Sequence, residues 1–335
     1  MATVGVIGAG SWGTALALLL HKNGHQVSIW SIIEEEVEML NLKREHLSKL
    51  PGIKIPEDIE ITNDLAASIK GKNALILAVP SPFTRSTAHS MKDLVEKDQI
   101  IVNVSKGIEE ETLMMLSDII EEEIPNADVA VMSGPSHAEE VGKGLPTTCV
   151  VGAKTRKTAE YIQSLFMSPV FRVYVSPDIL GIELGGALKN VIALAAGVAD
   201  GIGCGDNIKA ALITRGLAEI KRLSVAMGAS AETITGLSGM GDLIVTCESM
   251  HSRNRMAGFL IGQGKTMDEA MAEVQMIVEG VYSAKAALRL AEEYKVEMPI
   301  VEEVNKVLFE DKKPAPAMQE LMQRMKKEEI EDRDW

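Results

Sequence analysis

The chain has 335 residues, 46% of them hydrophobic and 24% charged, and a formal net charge of −14. A single hydrophobic core rarely serves a chain this long, so two domains are expected, with the composition of a folded globular protein. The acidic excess, carried by glutamates on helix faces and by the C-terminal stretch KKEEIEDRD, reads as a solvated surface and disfavours non-specific binding to nucleic acid.

Short apolar runs rich in β-branched residues open the chain and alternate with segments of helical period. Strands are predicted at 3–7, 26–30, 59–62, 74–79, 100–104, 129–132, 148–152 and 171–175. Near-continuous apolar runs such as ALILAV suit strands covered on both faces. Their alternation with helices implies a doubly wound, mostly parallel sheet, an α/β domain of Rossmann type. Past SPDIL no further strand is predicted. Helices are predicted at 180–199, 207–227, 280–294 and 299–309, separated by the glycine-rich turns DGIGCGDN and GLSGMGD. The expected plan is a dinucleotide-binding domain over residues 1–177 followed by an all-α substrate and catalytic domain over 178–335.

Between the first predicted strand and the helix TALALLLHKNG, Gly8, Gly10 and Gly13 form G-x-G-x-x-G. Such glycines permit a tight turn, close approach of a pyrophosphate and tight packing of helix on strand, while helix-start amides face the anion. Ser11 and Trp12 lie in that turn and would line a cofactor, although Trp12 also suits a plain packing role.

In GIELGGALKNVIALAAG one lysine, Lys189, shares its helix face with Gly185, Gly186 and Ala193, which leaves room for a flat ligand. Lost hydration and a second cation nearby would lower its pKa, as suits a proton donor or acceptor; a snorkelling lysine on a packing helix is the alternative. Lys106, in NVSKGI, falls just past a parallel strand, where open α/β sheets bind ligands. SGPSHAEE offers Gly134, Ser136 and Ala138 at an expected helix start, and in HSRNR Ser252 caps a helix opening with Arg253, Asn254 and Arg255. Helix-start amides with a guanidinium fork suit a phosphate. Each feature has a bland alternative: a surface charge for Lys106, simple caps for Ser136 and Ser252, a salt bridge for Arg253 or Arg255. Their joint occurrence favours a site. Asp242 after GMG is a helix cap or a substrate ligand, and Glu279 a first-turn charge unless a cofactor reaches it.

No metal is expected, because His137 and His251 lack companions at ligand spacing. Cys149, Cys204 and Cys247 are widely spaced and odd in number, which suits a reducing cytoplasm better than a disulfide framework. The first residues lack a basic region followed by a cleavable apolar core, and no uninterrupted apolar run reaches the ~20 residues of a bilayer span. A cytoplasmic protein without membrane partners is expected.

Taken together, GAGSWGTALA, VSKGIE, SGPSHAEEV, FRVYVSPDILGIELGGALKN, ALITRGLAEI, GMGDLIVTC, HSRNR and VEG resemble the NAD(P)-dependent glycerol-3-phosphate dehydrogenases of bacterial type over essentially the whole chain. The resemblance implies interconversion of dihydroxyacetone phosphate and sn-glycerol 3-phosphate with NAD(P)H, feeding glycerophospholipid synthesis. It implies that Lys189 is the catalytic proton acceptor and that Lys106 touches substrate and cofactor. Gly134, Ser136, Asp242, Ser252, Arg253 and Asn254 then match substrate positions, and Ser11, Trp12, Ala138, Arg253, Ile277 and Glu279 match cofactor positions. A homodimer is a family-level expectation. The rivals are a 3-hydroxyacid or 6-phosphogluconate-type dehydrogenase and a cofactor-binding regulator without turnover.

Members of that family often carry His or Arg just after the second strand, where this chain has Ser31 and Ile32, followed by Glu34, Glu35 and Glu36. A missing cation and three glutamates predict no strong preference for NADPH.

Overall fold

The computed structural model describes residues 1–326, 328 and 329, so most of KKEEIEDRD lies outside the described residues. Ten strands form: β1 (Thr3–Ile7), β2 (Gln26–Trp30), β3 (Glu45–His46), β4 (Leu50–Lys54), β5 (Glu60–Thr62), β6 (Ala74–Leu77), β7 (Ile100–Asn103), β8 (Asp128–Ser133), β9 (Thr147–Ala153) and β10 (Phe171–Ser176). Eight of them make one sheet in the order β10-β9-β8-β7-β6-β1-β2-β5. From β5 to β8 every pair is parallel, whereas β9 runs antiparallel to β8 and β10 parallel to β9. The sheet is thus mostly parallel and of Rossmann type, with strand order reversing between β1 and β6, where a crevice opens at the carboxyl ends.

Alternation along the strands feeds two cores. Val4, Val6, Ile29, Ile76 and Val102 pack on one face with Leu16 and Leu20 of the helix Ser11–Lys22, and Ile7, Leu75, Leu77 and Ile101 pack on the other. Both faces are covered, which is why the strands read as near-continuous apolar runs. The hairpin of β3 and β4 was not predicted. Its strands are short, and Pro51 and Gly52 interrupt the alternation that would mark them.

A third core surrounds the helix Ile179–Gly201, built from Leu184, Leu188, Val191, Ile192 and their neighbours on later helices. This helix is long and apolar enough to cross a membrane by length and composition, but 89% of its most apolar stretch is buried within the protein. Glycines let its backbone touch its neighbours. A Cβ on Gly197 would lie 2.0 Å from the Arg255 carbonyl oxygen, and one on Gly258 would lie 2.1 Å from that of Leu194. The helix Arg253–Gly262 is thereby seated directly on the lysine-bearing helix. Gly258→Val is expected to cost about 3 kcal/mol by forced separation of the two helices. Thermal denaturation would read this as a lower Tm, and a variant melting with the wild type would contradict so close a crossing.

The stretch GLSGMGD, predicted as a turn, is instead helical. Leu237–Gly241 makes a wide π-helical turn that runs straight into the helix Asp242–Glu248. Small residues allow it, since a Cβ on Gly239 would lie 1.9 Å from the Ile234 carbonyl oxygen.

Candidate active site

Gly8 adopts φ +120°, and a Cβ there would lie 2.8 Å from the Ala78 carbonyl carbon; one on Gly13 would lie 2.0 Å from the Gly8 oxygen. These two positions have no space for a side chain because β1, the turn and the helix Ser11–Lys22 meet backbone to backbone. Gly10 differs: a Cβ built there meets nothing within 4 Å, and as N-cap it offers no side chain to the first-turn amides. An open, uncapped helix start beside the crevice fits the pyrophosphate of a dinucleotide. Trp12 is half-buried and packs against the sheet core, so its bland role is present too. Ala138 is the buried first residue of the helix Ala138–Gly142, preceded by His137 as N-cap.

Past β7, the Lys106 ammonium donates to Asp242 Oδ2 at 2.5 Å and to the Gly134 carbonyl at 3.2 Å. The other Asp242 oxygen, Oδ1, lies 2.9 Å from Lys189 Nζ. Lys189 also donates to Thr246 Oγ1 at 2.6 Å, and that hydroxyl donates to the Asp242 carbonyl one turn back at 2.6 Å. Two cations therefore share one buried carboxylate. Burial pushes the Lys189 ammonium down, Asp242 pulls it up, Lys106 pushes it down again, and it comes to about 8. Burial opposes ionisation of Asp242, yet the two lysines hold it below the usual carboxylate range.

The small-residue face of the lysine helix is used differently from the expectation. A Cβ on Gly185 would meet the Ser238 carbonyl at 2.8 Å, and one on Gly186 would meet Ser133 Oγ at 3.0 Å and Lys106 Cγ at 3.4 Å. The space over Gly185 and Gly186 is occupied by the π-helical turn, by Ser133 and by Lys106. Their close seating is what brings Asp242 between the lysines.

At the other side of the cluster, Ser252 caps the helix Arg253–Gly262 by accepting from the Arg255 amide at 3.2 Å. The Arg253 and Asn254 amides come before the first intrahelical donor, Met256, whose amide bonds the Ser252 carbonyl, and are the ones left for an anion. The Asn254 side chain is committed inward: it donates to Asn190 Oδ1 at 3.0 Å and accepts from the Gly280 amide at 2.8 Å. Arg255 is held by Asp200 at 2.7 Å, as the salt-bridge alternative had it, while Arg253 reaches the Ile277 carbonyl at 3.2 Å. Ser136 Oγ donates to the Gly134 carbonyl at 3.0 Å, and Gly134 itself takes φ +145° where a Cβ would lie 2.9 Å from the Thr148 oxygen. Glu279 is half-buried and accepts from the amide and hydroxyl of Ser81 at the start of the short 3-10 helix after β6, which ties the helical part to the sheet; desolvation raises its carboxyl.

Sequence reasoning missed Thr246 and Asn190. Thr246 stands one turn after Asp242, so helical spacing alone would have put the two on one face; Asn190 carried no signal beyond adjacency to Lys189. His137 and His251 lie with ring centroids 6.1 Å apart and their planes tilted by 58°, and no cluster that would hold a metal exists among the described residues. Cys149 and Cys247 flank the site, and burial pushes both thiols up to about 12. Iodoacetamide at pH 8 is therefore expected to label the half-buried Cys204 first in the native protein. Peptide mass mapping would check this, and early labelling of Cys149 or Cys247 would contradict it.

The model described as NAD-dependent glycerol-3-phosphate dehydrogenase N-terminus matches residues 3–159, and that described as the C-terminus of the same enzyme matches 178–319. Glycerol-3-phosphate dehydrogenase [NAD(P)+] of Agathobacter rectalis is 67% identical over 100% of both chains, and that of Fusobacterium nucleatum 60% identical over 99% of both. The crystal structure of glycerol-3-phosphate dehydrogenase from Coxiella burnetii superposes with a TM-score of 0.93 at 36% identity, covering 96% of this chain and 99% of that one. With the fold, the glycine cradle and the paired lysines all in agreement, the chain belongs to the NAD-dependent glycerol-3-phosphate dehydrogenase family.

Proposed function

We propose that the chain interconverts dihydroxyacetone phosphate and sn-glycerol 3-phosphate by hydride transfer with NAD(P)(H), supplying glycerophospholipid synthesis. The observation that carries this is the pair of ammonium groups, Lys106 and Lys189, on one buried carboxylate beside a capped helix start suited to phosphate, in a chain so close to enzymes of that name. When bound, NAD(P)(H) supplies or takes up the hydride. Lys189 holds a proton at Nζ, gives it to the oxygen on the reacting carbon during reduction, and takes it back during oxidation. Asp242 and Thr246 aim that ammonium, and Lys106 adds positive potential where oxyanion charge develops. Ser252, Arg253 and Asn254 hold the phosphate end, and Gly134 and Ser136, next to Lys106, also bind substrate.

Gly8, Gly10, Ser11, Trp12, Gly13, Lys106, Ala138, Arg253, Ile277 and Glu279 line the dinucleotide. Residues 1–177 act as its binding domain and 178–335 as the substrate and catalytic domain, in a homodimer of a reducing cytoplasm that suits three free cysteines. The test is initial-rate oxidation of NADH and NADPH at 340 nm with dihydroxyacetone phosphate, run beside 3-hydroxyacids in the oxidative direction. Turnover of the triose phosphate is expected; turnover of a hydroxyacid alone, or dinucleotide binding without any turnover, would overturn the assignment.

A further inference from the structure

The helix Glu34–Lys43 begins just after β2, beside the end of the crevice where a Rossmann-type site meets the adenosine ribose. In sequence Glu34, Glu35 and Glu36 form one acidic block, but folding separates them. Glu34 and Glu35 stay exposed, whereas Glu36 turns inward and is only 9% exposed. Glu36 Oε2 accepts from Ser31 Oγ at 2.5 Å, and Oε1 accepts from His46 Nε2 at 2.9 Å and from the Lys49 ammonium. His46 Nδ1 accepts the Lys49 amide at 3.2 Å, which puts the imidazole proton on Nε2 and makes the ring a neutral donor. One positive charge thus balances one negative charge: the helix Glu34–Lys43 supplies the carboxylate, and the β3–β4 hairpin brings His46 and Lys49 to it. Burial works against Glu36 ionisation, but the donors from His46, Lys49 and Ser31 outweigh it and bring its carboxyl to about 2.

We propose that Glu36 is a specificity-determining residue: by holding Lys49, which it ties to Ser31 just past β2, it denies that ammonium group to a 2′-phosphate, and so makes the site prefer NADH. This rests on the dehydrogenase reading above. The Ser31 hydroxyl is equally committed, because it also accepts the Ile33 amide at 3.2 Å. What remains facing the ribose is a charge-balanced surface flanked by two exposed glutamates, which accommodates a hydroxyl and repels a dianion.

The experiment titrates the full-length protein with NADH and NADPH separately, without substrate, by isothermal calorimetry. Wild type is expected to bind NADH more tightly. Glu36→Gln keeps an acceptor for Ser31 and His46 but frees Lys49, so NADPH affinity should rise about tenfold while NADH affinity barely changes. Adding Lys49→Met to Glu36→Gln should remove that gain. Lys49→Met alone leaves Glu36 uncompensated and should weaken NADPH binding further; it decides the matter if Glu36→Gln does not fold, as judged by circular dichroism. An unchanged NADH-to-NADPH ratio in Glu36→Gln, a gain that survives loss of Lys49, or tighter NADPH binding by wild type would each overturn the proposal while leaving the dehydrogenase reading standing. Failure of wild type to bind either dinucleotide would overturn both.

Discussion

Lys189→Ala is expected to lower turnover about 10³-fold in both directions, the usual scale for loss of a general acid or base. Dinucleotide affinity should stay nearly intact, because Lys189 contacts Asp242 and Thr246 and not the glycine cradle. The fold should survive as well, since Asp242 keeps Lys106 as partner at 2.5 Å and is not left as an unpaired buried charge. Steady-state rates beside calorimetric titration of NADH separate the two quantities. A variant with near-normal turnover would remove Lys189 from the chemistry. In the wild type a lysine brought to about 8 by burial gives the pH dependence its sign. Reduction needs the protonated form and should decline above pH 8, whereas oxidation needs the neutral form and should climb through the same range.

Asp242→Asn is expected to be the second largest loss, about 10²-fold in turnover, for a different reason. The substitution keeps the shape but removes the charge that lies between two ammonium groups at 2.5 and 2.9 Å. Lys106 and Lys189 then face each other without compensation, and the Lys189 ammonium becomes still less favourable. Both limbs of the pH profile should move toward acid by about one unit or more. A profile unmoved by Asp242→Asn, even with reduced turnover, would show that the carboxylate does not govern the lysine's protonation.

Lys189 stood out in sequence as a lone cation in a run of glycine, alanine and leucine, although spacing alone left a snorkelling lysine as the alternative, and Ser252 stood out because a serine before a helical run is a cap. The purpose of the small residues was not legible. Gly185 and Gly186 were expected to open space for ligand, yet they admit the π-helical turn and the Lys106 side chain. Helical spacing tells which positions share a face; it does not tell what is laid against that face. Glu36 shows the same limit, since an exposed acidic block and a buried clamped carboxylate have identical local sequence.

Periodicity, glycine punctuation and cap residues act over a few positions, so the sequence by itself determined the eight strands of the main sheet, its mostly parallel character, the helical second half and the family, but not the β3–β4 hairpin or the π-helical turn. Tertiary structure alone decided how charge is matched. Lys106 finds Asp242 across 136 positions, and Lys189 finds Thr246 across 57. Nothing local selects such partners. They are chosen by which backbones pack closely enough to exclude water, because a buried cation is tolerable only where the fold also delivers a carboxylate or a hydroxyl to receive it.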